Sequence, residues 1–250
     1  MKVVAIKTDI IKPGEDIFSF LKKSILSIEE GSIVVVTSKI ISFSQNRFTD
    51  INEGSREEKH SLVKKETDLY LDPSLSKYDI MLTIKDSIMA VNAGIDESNS
   101  DGKYVLWPEN LQEVTNKIWR FLKTEYQLKR LGVIITDSKT IPLKWGITGT
   151  AITHCGFEAL IDKRGEEDIF GRDLKMTQIQ ITEAVAVAGV FEMGEGDEQR
   201  PVAVVSDFQQ PIVFQDRPPT EEELADLLID PNDDVYAPVL MNVDWKKGGK

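Results

Sequence analysis

The apolar positions of this chain fall into short β-branched runs and helical repeats, separated by turns that carry glycine, proline or aspartate. Residues 3–6 predict a first strand and Pro13-Gly14 a loop, after which Ile17, Phe20, Leu21, Ile25 and Ile28 recur at helical spacing. A turn at Glu30-Gly31-Ser32 leads into the run at 33–37, a predicted buried strand that ends on Ser38-Lys39. Residues 46–65 are charge-dense without deep periodicity and predict a mobile connection with an exposed, solvated helix.

Residues 80–90 predict two strands broken by a tight turn at Lys85-Asp86, which deliver the chain into the turn-rich stretch 92–102. Leu111, Val114, Ile118, Phe121 and Leu122 mark an amphipathic helix whose start is signalled by Pro108 and Glu109. Another β-branched strand is predicted at 132–136, closed by Asp137-Ser138, and a helix of small residues at 177–191. That helix runs into the glycine-acidic loop 194–198 and a last strand at 202–205. Thr220 and Glu223 stand at capping-box spacing before Leu224, Leu227 and Leu228, so the tail starts a short helix that packs on the body. Hairpin and crossover strands interspersed with helices predict an α+β fold with mixed sheets. We expect a body at residues 1–215, made of two interlocked subdomains, and a C-terminal extension at 216–250.

Composition narrows the chemistry. The 250 residues are 41% hydrophobic, enough for a substantial core, and carry a net charge of -12. That field makes nucleic acid an unfavoured partner, and any anionic substrate needs a cation or local basic groups. One cysteine, Cys155, and two histidines, His60 and His154, exclude a disulfide framework and an ordinary Cys/His zinc site. A metal here would take oxygen ligands, which favours magnesium, manganese or calcium. No run of about eighteen apolar residues occurs, so no membrane span is expected and the cytoplasm is the expected location.

Candidate site residues gather where strands open into loops. Asp96 follows a strand and Asp137 ends one, so the two carboxylates can share a hard cation, with Ser138 adding a hydroxyl and Asn99 an amide donor to a phosphate. Each is equally a turn former on local pattern. Ser38-Lys39 offers a hydroxyl and an ammonium to a phosphate, although a lysine at a strand end is more often simply solvated. Glu195 in the loop MGEGDE can reach a second metal, but GEG is also an ordinary surface turn and no GxxxxGK[ST] loop is present. Residues 162–172 read as a salt-bridged turn or as an arginine site for carboxylates, with Arg172 or Lys144 as the candidate holder. Cys155 beside His154 has no second partner and reads as a bystander.

Four stretches in order, VNAGIDESN (91–99), GVIITDS (132–138), DKRGEEDIFGRDLKMT (162–177) and MGEGDEQRPVAVV (193–205), together resemble the coenzyme F420 gamma-glutamyl ligase family across most of residues 1–206. VLWPEN (105–110), SKTIPLKWGITGTAI (138–152) and the tail look more like the bacterial branch described as folate-metabolism gamma-glutamate ligases. The resemblance implies a homodimeric, metal- and nucleotide-dependent ligation: magnesium or manganese, GTP or ATP, L-glutamate, and an acceptor of folate type. A ligase acting on the deazaflavin precursor and a non-catalytic nucleotide- or metal-binding homologue are the alternatives. By motif, Asp96, Asp137 and Ser138 would be metal ligands and Glu195 a second-metal ligand. Asn99, Thr8, Asp9, Ile10, Ile11, Ser38 and Lys39 would meet the nucleotide, and Asp137, Lys144 and Arg172 would serve the reaction. The chain departs from the family at Phe43, which replaces a nucleotide-contacting lysine, and at Thr8-Asp9-Ile10, where the family has a proline-containing loop.

Overall fold

The computed structural model describes residues 1–250. Strand β1 (Lys2–Ile6) is followed by helix α1 (Ile17–Ser24), β2 (Ser32–Thr37) and α2 (Ser38–Ser44). Next come β3 (Phe48–Asp50), α3 (Arg56–Glu66), β4 (Leu69–Tyr70), β5 (Leu82–Lys85), β6 (Ile88–Val91) and β7 (Lys103–Val105). The following stretch holds α4 (Leu111–Glu125), β8 (Leu131–Thr140), β9 (Ile147–Cys155), β10 (Leu160–Asp162), β11 (Gln178–Gln180), α5 (Ile181–Met193) and β12 (Val202–Ser206). The tail adds α6 (Glu221–Ala225), α7 (Ala237–Leu240) and β13 (Lys246–Lys247). The fold is α+β with several mixed sheets.

The central sheet has five strands in the order β1-β12-β2-β8-β9, of which only the β2/β8 neighbours are parallel. Side-chain alternation along these strands divides the core in two. Val34, Val36, Val133 and Ile135 face α1, α2 and α4, while Ile33, Val35, Ile134 and Val205 face α5. Both faces of β2 are therefore covered, which explains its unbroken apolar run. Helix α5 lies close to the sheet because its small residues meet Gly149: a Cβ there would stand 2.6 Å from the Val190 Cβ. A third apolar cluster, including Val63, Met81, Ile95 and Tyr104, fills the segment between α2 and α4.

Local signals explain most element ends. Asp16 caps α1 by accepting from the Ser19 amide at 2.8 Å, and Thr220 and Glu223 form the capping box of α6. The β5–β6 turn is made by Asp86 and Ser87, both with positive φ, as a tight two-residue hairpin requires. Two expectations shift. Ser38 and Lys39 do not trail off a strand but open helix α2 directly, and the small-residue helix begins at Ile181 rather than 177. Residues 178–180 alternate polar and apolar, and pair with β10 as a short strand instead. The tail helix α6 buries no residue of its own, and the chain end is held by β13, which pairs antiparallel with β4.

Candidate active site

The carboxyl ends of the parallel neighbours β2 and β8 open side by side into a cleft of about 700 Å³. Thr8, Asp9, Ile10, Ile11, Lys39, Asn99, Asp137, Ser138 and Glu195 all line it. Ser38 is buried behind the wall, and Asp96 reaches the cleft through Lys39. Lys144 and Arg172 lie on exposed segments outside it, so the structure does not bring these two candidates to the cleft within one chain.

Asp137 occupies the position where β8 leaves the core. A bulge in the β8–β9 pairing falls between Ile135 and Thr136, immediately before it, where a local twist re-aims the next side chains. Its Oδ1 accepts from the Ser138 amide at 2.8 Å and its Oδ2 accepts from the indole Nε1 of Trp107. Alternation sends Ser138 the other way, and its hydroxyl donates to the Glu195 carboxylate at 2.8 Å. Asp96 forms a tight Asx turn: Oδ1 accepts from the amides of Glu97 (2.7 Å) and Ser98 (2.9 Å). Its Oδ2 accepts from Lys39 Nζ at 2.6 Å and from Ser98 Oγ at 2.7 Å. Asn99 donates from Nδ2 to the Gly196 carbonyl at 2.8 Å, tying the turn-rich stretch to the glycine-acidic loop across the cleft.

These surroundings drive the two aspartates apart. Burial pushes the Asp137 carboxyl up to about 6, against the hydrogen bonds from Trp107 and Ser138; the Asp96 charge acts with burial and Lys39 against it. For Asp96 burial also acts upward, yet the Lys39 ammonium and the Ser98 donors outweigh it and hold the carboxyl below the usual range. The two carboxylates thus feel one another and share one counter-cation.

Lys39 Nζ bonds Asp96 Oδ2 at 2.6 Å and the Ser98 carbonyl at 2.8 Å, and the acidic and hydroxyl groups nearby on the cleft, Asp137, Ser138 and Glu195, are all hard oxygens. No three His, Cys, Asp or Glu side chains converge as a protein-only metal cage. That composition fits magnesium or manganese, which binds through one or two carboxylates and completes its shell with water and phosphate. The cleft also presents Lys12, Lys103 and Arg200, three cationic groups not among the candidates above, although Arg200 falls within the stretch MGEGDEQRPVAVV. Phe43 lies on the wall, 8% exposed, with its ring centroid 5.4 Å from that of Phe48, so the position where the resemblance implies a lysine is part of the apolar packing.

Asp137 at the end of the buried part of β8, the Lys39–Asp96 ion pair and the cationic Lys12, Lys103 and Arg200 thus meet at one cleft. The chain belongs to the F420-0:gamma-glutamyl ligase family, whose model matches residues 5–207. It is similar to the coenzyme F420:L-glutamate ligase of Methanocaldococcus jannaschii, 32% identical over 82% of this chain and 87% of that protein. Proteins of the same description from Methanosarcina barkeri (31%, 83% of this chain and 87% of theirs) and Methanococcus maripaludis strain C6 (30%, 84% and 90%) are comparably similar. The protein is a ligase of the carbon–nitrogen class. No helix is long and apolar enough to cross a membrane.

Proposed function

We propose that this chain joins the amino group of L-glutamate to a terminal carboxylate of an F420-type acceptor, using GTP or ATP and a divalent cation. The observation that carries the reading is the convergence of Asp96 and Asp137 on one cleft, with the Lys39 ammonium bound to the first and felt by the second. The relatives are named for the deazaflavin coenzyme, which favours that acceptor over the folate type expected from VLWPEN and the tail.

In this reading the acceptor carboxylate attacks the γ-phosphorus, the bond to the β-phosphate oxygen breaks, and an acyl phosphate forms as the nucleoside diphosphate leaves. The glutamate amine then attacks the acyl carbon, the C–O bond to phosphate breaks, and the nitrogen loses a proton. A magnesium or manganese ion held by Asp96, Asp137 and Ser138, with a second at Glu195, would neutralise phosphate charge, the main electrostatic demand of such transfers. Lys12, Lys39, Lys103 and Arg200 add fixed positive charge along the cleft, in a protein whose overall field is negative. Thr8 to Ile11 and Asn99, which line the same cleft, would meet the nucleotide.

The same reading takes the protein as a homodimer. Leu143, Trp145 and Ile147 on the β8–β9 hairpin, and Ile169, Phe170 and Met176 on the loop before β11, are exposed apolar side chains available to a second copy. Lys144 and Arg172 sit among them, where a second copy could bring them to an acceptor.

The deciding assay is phosphate release from GTP and ATP with magnesium or manganese, L-glutamate, and either the deazaflavin precursor or a folate. Release that needs both glutamate and the deazaflavin acceptor is expected. Release with the folate alone would return the acceptor to that class, and release without glutamate would make the protein a hydrolase.

A further inference from the structure

We infer that Trp107 is a positioning residue for Asp137, holding its carboxylate at the angle from which it can bind a cation. This rests on the reading of Asp137 as a cation ligand. Trp107 is only 2% exposed, yet its indole N–H is not spent on the backbone: it donates to Oδ2 of Asp137. The backbone is shaped around that bond. Gly94, at φ +71°, passes so close that a Cβ on it would lie 1.9 Å from the indole Nε1, so the edge of the ring that carries the N–H is admitted only by glycine.

The far side of the ring is held as firmly. Lys85 Nζ stands over its face, 5.7 Å from the centroid, and Glu66 keeps that ammonium in place at 3.1 Å while bonding Arg47 at 2.6 Å. Arg47 Nε in turn donates to the Trp107 carbonyl at 3.3 Å. A cation over an indole draws charge from the ring and makes its N–H a stronger donor. With the Ser138 amide on Oδ1, both oxygens of Asp137 are gripped while each keeps acceptor capacity towards the cleft. An indole N–H only donates, so Trp107 cannot itself ligate a cation; it orients the group that does, as hydrogen-bonded partners of ligating carboxylates do.

The test is Mn²⁺ titration, followed by electron paramagnetic resonance of the free ion, on wild type, Trp107→Phe, Asp137→Asn and the double variant, each checked for folding by circular dichroism. Phenylalanine keeps a ring and removes the N–H. We expect Mn²⁺ affinity to fall about tenfold in Trp107→Phe and no further loss when the change is added to Asp137→Asn. Wild-type affinity in a folded Trp107→Phe, or equal losses in both backgrounds, overturns the inference while leaving the cation reading intact. A wild type that binds no Mn²⁺, with or without nucleotide, removes both. Should Trp107→Phe fail to fold, the indole ¹H–¹⁵N signals of the four wild-type tryptophans decide: Mg²⁺ must move the one assigned to Trp107 through its contacts to Gly94, and an unmoved signal overturns the inference.

Discussion

Strands β8 and β9 are each two different things along their length. From Leu131 to Thr136 every residue of β8 is buried, flanked by helices on both faces; beyond Ser138 the same hairpin carries Ile141, Leu143, Trp145 and Ile147 into the open. Asp137 stands at the junction, and the junction explains its chemistry. The inner half supplies the rigidity and the burial that raise its carboxyl, while the outer half leaves its far side open to a cleft. Apolar side chains in the two halves have different surroundings: the inner ones pack into the core, and the outer ones are exposed.

The contrast can be broken at its strongest point first. Ile135→Ala, in the inner half, removes a fully buried side chain from the larger core cluster and should cost about 2–5 kcal/mol in chemical denaturation. A loss under about 1 kcal/mol would show that the inner half is not the close-packed frame described. Asp137→Asn tests the junction. It should lower turnover by at least about a hundredfold, roughly 2.7 kcal/mol of barrier. Yet it should melt no lower than the parent at pH 8, because a carboxyl whose folded value is raised is held charged there at the expense of stability. Near-normal turnover sinks the site assignment.

A smaller effect is expected at the end of β9. His154 is buried beside Phe157, and burial pulls its imidazole down to about 4. Between its ordinary value near 6.5 and 4, the unfolded chain binds a proton that the native state does not, so stability falls as pH falls through that window. The contribution lost between pH 8 and pH 5 is about 2 kcal/mol, and it should vanish in His154→Phe when urea midpoints are compared at the two values. Smallest in stability is Leu143→Ser in the outer half, within about 0.5 kcal/mol for the monomer. Its signature should be in sedimentation velocity, as a weaker self-association; an unchanged sedimentation profile would detach the exposed hairpin from any dimer contact.

Much of the frame is legible in the order of residues. The β-branched runs at 33–37, 132–136 and 202–205 give three of the five central strands because a strand covered on both faces must be apolar throughout. Asp96 and Asp137 could be singled out as residues at strand exits. Their partners could not. Lys39 was legible as a candidate for a phosphate but not as the counter-cation of Asp96, 57 positions away. Trp107 and Arg200 lie inside the quoted stretches VLWPEN and MGEGDEQRPVAVV without being singled out there, and Lys12 and Lys103 carry no motif at all. Where pattern misled, the cause is local ambiguity: residues 178–180 have helix-permissive composition but alternate with period two, and pairing with 160–162 made them a strand.

What the sequence by itself determined is most of the longer helices, three of the central strands, the scarcity of Cys and His, and the family, because periodicity, residue chemistry and motif order are properties of neighbours along the chain. Only the tertiary structure decided which groups share the cleft. Register and helix packing bring Lys39 of α2 onto Asp96 and Trp107 onto Asp137 of β8, with Asp96 and Trp107 on connecting segments, leave Lys144 and Arg172 outside, and expose one end of a hairpin whose other end is core. Electrostatic and hydrogen-bond energies depend on separation in space, which no spacing in sequence records.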